Sequence, residues 1–249
     1  MFNWLTQLFR NSTTSNTPVF EVDHNSLEKL FKYSFSDRQI IEQALKHRSV
    51  LPTLQESRVE SNERLELLGD AVLGLVVTEF LYTQFPEKEE GKLTEMKSLL
   101  VSRKILAKVG NRLKLGEYML LSEAEVRSGG RTRISIVADA MESVIGAMYL
   151  DGGLEIARQF IIENILHDFE KIMNEDQHKN FKSILLEHAQ GNNFGPPTYK
   201  IRDENGPDHK KIFTVEVFIQ HKIVGIGKGK SKKHAEQNAA KDAIEKLLI

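Results

Sequence analysis

Apolar residues recur at helical spacing from about Ser26 to Met173. Leu27, Leu30 and Phe31 share one face, and Ile40, Ile41, Ala44 and Leu45 share the next. The period predicts a long helix from Glu63 to Phe85, stopped at Pro86, then helices over Leu93–Val109, Ile136–Leu150 and Leu154–Ile172. Gly91, Gly110, Gly116, Gly129-Gly130 and Gly152-Gly153 punctuate them. No stretch here alternates like a strand, so this part is expected to be all-α. The polar run Asn174–Asn180 reads as a linker. Beyond it the pattern changes. A short helix spans Phe181–Gln190 and ends at Gly191, and three strands follow at Thr198–Ile201, Ile212–Ile219 and Lys222–Lys228. The middle strand sets Phe213, Val215, Val217 and Ile219 on one side and Thr214, Glu216 and Phe218 on the other. Ser231 can cap a last helix that runs to Leu248. The expected chain is multidomain: a loose extension over 1–24, an all-α domain over 25–173, a linker over 174–180 and a small α+β module, α-β-β-β-α, over 181–249.

Charge sharpens this division. The whole chain has a formal net charge of −1, but residues 179–249 hold 13 Lys/Arg against 8 Asp/Glu, and the remainder holds 21 against 27. An acidic body joined to a basic tail suggests a part that holds cations and a part that holds a polyanion, although variation in surface charge can give the same asymmetry. The absence of cysteine removes disulfides, thiolate zinc sites and cysteine nucleophiles, and fits a reducing, cytoplasmic setting. No apolar run approaches the roughly 20 residues of a membrane helix, so no membrane role is expected. The first ten residues lack the charged start and small-residue cleavage site of a signal peptide.

Candidate chemistry sits on two helices. Glu63, Glu66 and Asp70 fall at i, i+3 and i+7, on one stripe of a helix whose other faces are Leu, Ala and Val. Such a helix is expected to be buried on most sides, its carboxylates inside the protein or in a cleft, with Asp70 two turns in and too deep to serve the helix dipole. Asp139 and Glu142 repeat the i, i+3 spacing among Ala138, Ala140, Met141, Val144 and Ile145. If the two helices cross here, Glu66, Asp70, Asp139 and Glu142 converge. Oxygen ligands with no Cys and no His nearby favour Mg²⁺, with Mn²⁺ as a substitute, over Zn²⁺. Such a site suits metal-assisted phosphoester hydrolysis. The alternative is a salt-bridge cluster with Arg48, Arg64, Arg103 or Arg133.

These same residues carry a family resemblance. Asn62–Asp70 followed by Ala71-Val72-Leu73 resembles the signature of bacterial ribonuclease III. Ala44–Ser49, Ser128–Gly130 and Ser135–Glu142 resemble that family's other motifs, in its order. The resemblance covers about 27–249. It implies a homodimeric, Mg²⁺-dependent endonuclease that cuts both strands of double-stranded RNA, as in rRNA and mRNA precursor processing. The expected ends are 5′-phosphates and 3′-hydroxyls with short 3′ overhangs, and no small-molecule cofactor is expected. Glu66, Asp70, Asp139 and Glu142 become the catalytic metal ligands, and Glu63 and Glu90 an outer acidic pair beside the scissile strand. Leu67 stands where the family commonly has a Phe that plugs a pocket on the partner subunit. Ile134 stands where many relatives carry an acid.

The basic tail has its own pattern. Lys228, Lys230, Lys232 and Lys233 cluster at the start of the last helix, an end whose dipole already favours anions. A solvated surface is the plain alternative. Gly206-Pro207-Asp208-His209 is a rigid turn between strands. Over 179–249 the arrangement resembles the double-stranded RNA-binding domain. By that resemblance Lys230, Lys232 and Lys233 grip phosphates, His209 enters one minor groove, and the first helix, around Ser183 and Glu187, enters the other. Leu186 stands where relatives often have Gln. A non-catalytic RNA binder of the same fold would lack the acids, and a small-molecule phosphohydrolase would not need the tail.

Overall fold

The computed structural model describes residues 22–174, 180–207 and 210–247. The chain divides into two compact units that part between Ile172 and Met173. The first is helical, with α1 (His24–Phe31), α2 (Arg38–Leu45), α3 (Leu51–Leu54), α4 (Glu63–Gln84), α5 (Glu90–Leu100), α6 (Arg103–Arg112), α7 (Glu123–Arg127), α8 (Ile134–Asn164) and α9 (Phe169–Asn174).

The helix expected over Leu93–Val109 is two helices. Ser102 leaves helical geometry (φ −64°, ψ 143°), and its hydroxyl accepts the Ile105 N–H to cap α6. Leu100, Ile105 and Leu106 are all buried, so the hydrophobic period runs across the break and hides it. α8 begins two residues earlier than expected, and the break expected between two helices at Gly152-Gly153 is a kink at Gly153, whose φ of 81° leaves helical geometry and suits glycine. The stretch beyond the kink, expected over Leu154–Ile172, ends at Asn164, and the freed Asn164 carbonyl accepts a hydrogen bond from Arg112 Nη2 at 2.6 Å.

The core lies where α4 crosses α8. The two backbones touch: a Cβ on Gly69 would sit 1.7 Å from the Glu142 carbonyl oxygen, and one on Gly146 would sit 2.4 Å from that of Leu65. Leu65, Val72, Leu73 and Val76 of α4 and Met141, Val144 and Ile145 of α8 are buried around this crossing. Because Glu66 and Asp70 flank Gly69, and Asp139 and Glu142 precede Gly146, the glycine contact brings the two acidic stretches together.

α4 is less enclosed than its sequence suggests. Leu67 is 76% exposed, Leu75 54% and Tyr82 74%. With Ala71 and Thr78 they form an outward stripe on one helical face. Asp70, expected inside the protein or in a cleft, is exposed.

In the second unit α10 (Phe181–Gly191) and α11 (Lys232–Leu247) pack with an antiparallel sheet of order β1-β2-β3. The strands are β1 (Thr198–Asn205), β2 (Ile212–Ile219) and β3 (Lys222–Gly229). β1 runs four residues past the expected Ile201, through a register shift between Ile201 and Asp203. Its charged end pairs across the sheet through Arg202 and Glu216 at 3.2 Å, which no hydrophobic alternation announces. Val215, Val217 and Ile219 are buried, as expected, against Ala235, Ala239, Ala240 and Ala243 of α11. Ser231 Oγ accepts the His234 N–H at 3.2 Å at the start of α11.

Candidate active site

A cleft of about 910 Å³ is lined by Glu63, Glu66, Leu67 and Asp70 of α4, by Asp139 and Glu142 of α8, and by His47, Arg48, Ser49 and Arg103. Carboxylate oxygens of Glu66, Asp139 and Glu142 all lie within 4.8 Å of one another. Asp70 lines the same cleft outside that tight group, and Glu63 lies at its edge. Glu90 does not join them. It opens α5, accepts a hydrogen bond from Thr94 Oγ1 at 2.8 Å, and lines a separate cavity of about 410 Å³ with Thr78, Leu81, Tyr82, Leu93 and Lys97.

Burial and mutual repulsion set the electrostatics. Glu142, only 9% exposed, is pushed up to about 7, first by desolvation and then by the charges of Asp70, Glu66 and Asp139. Desolvation also raises Glu66 and Asp139, with Arg103 opposing the shift at both. Glu63 goes the other way. The Arg58 guanidinium donates to both its oxygens, at 2.7 and 3.0 Å, and holds its carboxyl below the usual range.

A salt-bridge cluster accounts for part of this arrangement. Arg48 lies 3.5 Å from Glu63 and Arg103 lies 3.4 Å from Asp139, while Arg133 pairs with Glu125. It does not account for the rest. Asp139 Oδ1 is buried and accepts no hydrogen bond, since Arg103 approaches it outside hydrogen-bonding geometry. Arg103 brings one positive charge against the clustered carboxylates of Glu66, Asp139 and Glu142, so a further cation would offset a repulsion that this ion pair leaves standing. The donor set, three clustered carboxylates, is of the hard-oxygen kind that holds a divalent cation.

His47 lines the cleft, which corrects the expectation of no histidine nearby. It lies far from the acids in sequence and arrives through a turn between α2 and α3. Burial lowers its pKa against the pull of Glu125 and Asp139. The motif Ala44–Ser49 was its only sequence signal. Nothing in the pattern pointed to Glu125. Ile134 opens α8 and is 54% exposed, and the structure offers no reason for an apolar residue there.

In the second unit Ser183, Leu186 and Lys233 line a shared cavity of about 680 Å³ with Pro196, Pro197 and Tyr199. Glu187, Lys230 and Lys232 are exposed. Lys232 Nζ lies 3.6 Å from Glu204 and 5.7 Å from the centre of the Phe213 ring. Asp208 and His209 fall outside the described residues, as do 1–21 and 175–179.

Residues 37–169 match the family described as Ribonuclease-III-like, and residues 181–247 match the double-stranded RNA binding motif. A protein named Ribonuclease 3 from Aliarcobacter butzleri is 42% identical over 225 residues, covering 90% of this chain and 98% of that one. Another of that name from Desulforamulus reducens is 42% identical over 223 residues, covering 90% and 91%. The nuclease domain of ribonuclease III from Campylobacter jejuni, solved in a study of flexibility in its dimer-forming region, is 40% identical with a TM-score of 0.54. It covers 58% of this chain and 97% of its own. Among the described residues no helix is long and apolar enough to cross a membrane.

Proposed function

The chain belongs to the ribonuclease III family of endoribonucleases, and on that premise we propose that it cuts both strands of double-stranded RNA in a Mg²⁺-dependent reaction. The observation that carries this reading is the convergence of Glu66, Asp139 and Glu142, beside Asp70, in one cleft. These four side chains are the proposed metal ligands, with Mn²⁺ as an acceptable substitute. A divalent ion held there supplies a stronger water nucleophile and offsets negative charge growing on the phosphate. Arg103 holds Asp139 in place, and Arg58 and Arg48 hold Glu63 at the mouth. With its carboxyl raised to about 7, Glu142 would give up its proton more readily once a cation offset the charge of the cleft. The expected products are 5′-phosphate and 3′-hydroxyl ends with short 3′ overhangs, and the expected substrates are duplexes in rRNA and mRNA precursors, in the cytoplasm.

Two chains are needed for two strands, since each offers one such cleft. A two-fold pair matches the approximate two-fold of an RNA duplex. The outward stripe of α4 supports this. With two α4 helices antiparallel, Leu67 of one copy would face the Tyr82 end of the other. The cavity of Thr78, Leu81, Tyr82 and Leu93 would then receive it, and Glu90 on that cavity's rim would approach the other copy's acids. Domain limits of 25–173 and 181–249 accompany the reading. The second unit would bind the duplex through Lys230, Lys232 and Lys233 on phosphates, with His209, Ser183 and Glu187 toward minor grooves.

Replacing Glu142 by Ala tests the assignment. Cleavage of a duplex should fall by at least about a hundredfold while duplex affinity holds, because a metal ligand is lost and no RNA contact is. Wild-type turnover by this variant in millimolar Mg²⁺ would sink it.

A further inference from the structure

One wall of the acidic cleft comes from the turn that carries His47, Arg48 and Ser49. Hydrogen bonds clamp this turn to the segment before α7. The His47 N–H donates to the Leu120 carbonyl at 3.1 Å, and the Leu120 N–H donates to that of Leu45 at 2.9 Å. The Ser122 N–H donates to Ser49 Oγ at 3.1 Å. Ser49 Oγ lies 2.9 Å from His47 Nδ1, and the Ser49 backbone N–H donates to the same Nδ1 at 3.3 Å. A backbone N–H can only donate, so Nδ1 is an acceptor and carries no proton. The ring is therefore neutral, and its one proton is on Nε2. Ser49 Oγ already accepts from Ser122, which leaves its own proton free to point at Nδ1 and fix the same tautomer.

A neutral donor has a particular use in this cleft. The cationic side chains that line it are drawn to its acids, Arg48 to Glu63 and Arg103 to Asp139. An uncharged N–H is held far less strongly by a carboxylate and stays available to a phosphate oxygen. We propose that His47 Nε2–H donates to a non-bridging oxygen of the phosphodiester being cut, and that Ser49 positions the ring for it. The proposal rests on the nuclease reading above. Such a donor strengthens as negative charge builds on the phosphate, so it acts on the rate more than on affinity.

Two variants separate this role from a structural one. In His47→Asn the amide oxygen can keep the bond to Ser49 while the distal donor is gone, and in His47→Gln an amide N–H reaches near the Nε2 position. Three quantities are measured on the full chain: single-turnover cleavage of an RNA duplex in Mg²⁺ at saturating enzyme, duplex affinity in EDTA, and melting temperature. His47→Asn is expected to cleave roughly 10- to 100-fold more slowly with affinity and melting temperature unchanged, and His47→Gln to regain part of the rate. A wild-type rate in His47→Asn overturns the proposal. So does a rate in His47→Gln no better than in His47→Asn, including the case where both melt early. An uncut duplex with the wild-type chain overturns the nuclease reading itself, whereas an active wild type beside an equally active His47→Asn overturns this proposal alone.

Discussion

Glu142 shows how one side chain ties folding to chemistry. Its carboxyl rises from an ordinary 4.5 to about 7 on folding, through burial first and three neighbouring carboxylates after it. A group raised in this way binds extra protons in the native state between those values. It therefore costs stability increasingly as pH climbs from about 4.5 to about 7, and the full cost stands above that window. Glu142→Gln removes the titrating group. In metal-free buffer the variant should melt above wild type at pH 8, and the gap should close toward pH 5. Millimolar Mg²⁺ at pH 8 should raise the wild-type melting temperature more than the variant's. A gap independent of pH, measured by calorimetry, would contradict this origin of the shift. The acids were legible in the sequence because carboxylates at i, i+3 spacing among Ala, Leu and Val are costly to enclose unless a cation sits beside them. His47 was not, because a single histidine in a turn shows no period, and only the fold carries it to the cleft.

The helices were legible where apolar period and stop signals agreed, as in α4 with Pro86 behind it. They were misread where the period outlasted the backbone: Ser102 breaks α5 from α6 although Leu100 and Ile105 both face the core. Gly69 and Gly146 seat α4 on α8 with backbone contact, a detail that composition does not reveal until the partner is known. The exposed stripe of α4 was hidden for a related reason. An apolar helix reads as buried, and sequence does not say whether its cover comes from its own chain. Leu67→Asp tests the cover proposed for it. A charge desolvated at a two-fold contact costs roughly several kcal/mol, so the variant should sediment as a monomer at micromolar concentration where wild type sediments as a dimer. A wild-type chain that is itself monomeric there and still cuts both strands in one encounter would remove the dimer from the account.

Across the whole chain, charge alone suggested an acidic and a basic unit with different partners, a split that variation in surface charge could also give. The geometry of neither unit was visible in it. A duplex bound through phosphates should show it in salt dependence. Replacing Lys232 and Lys233 together by Ala should weaken all duplex sequences alike and flatten the log–log salt slope by about two counterions' worth. Selective loss for some sequences at an unchanged slope would mean that these lysines read something other than backbone. Whether the carboxylates of α4 and α8 form a divalent-metal site that cuts duplex RNA is decided on a gel. A long, perfectly paired RNA duplex is incubated with the wild-type chain in millimolar Mg²⁺ and, in parallel, in EDTA. Short duplexes bearing 5′-phosphates are expected in Mg²⁺, and intact RNA in EDTA. Intact RNA in both, or equal cutting in both, would contradict the metal-site assignment.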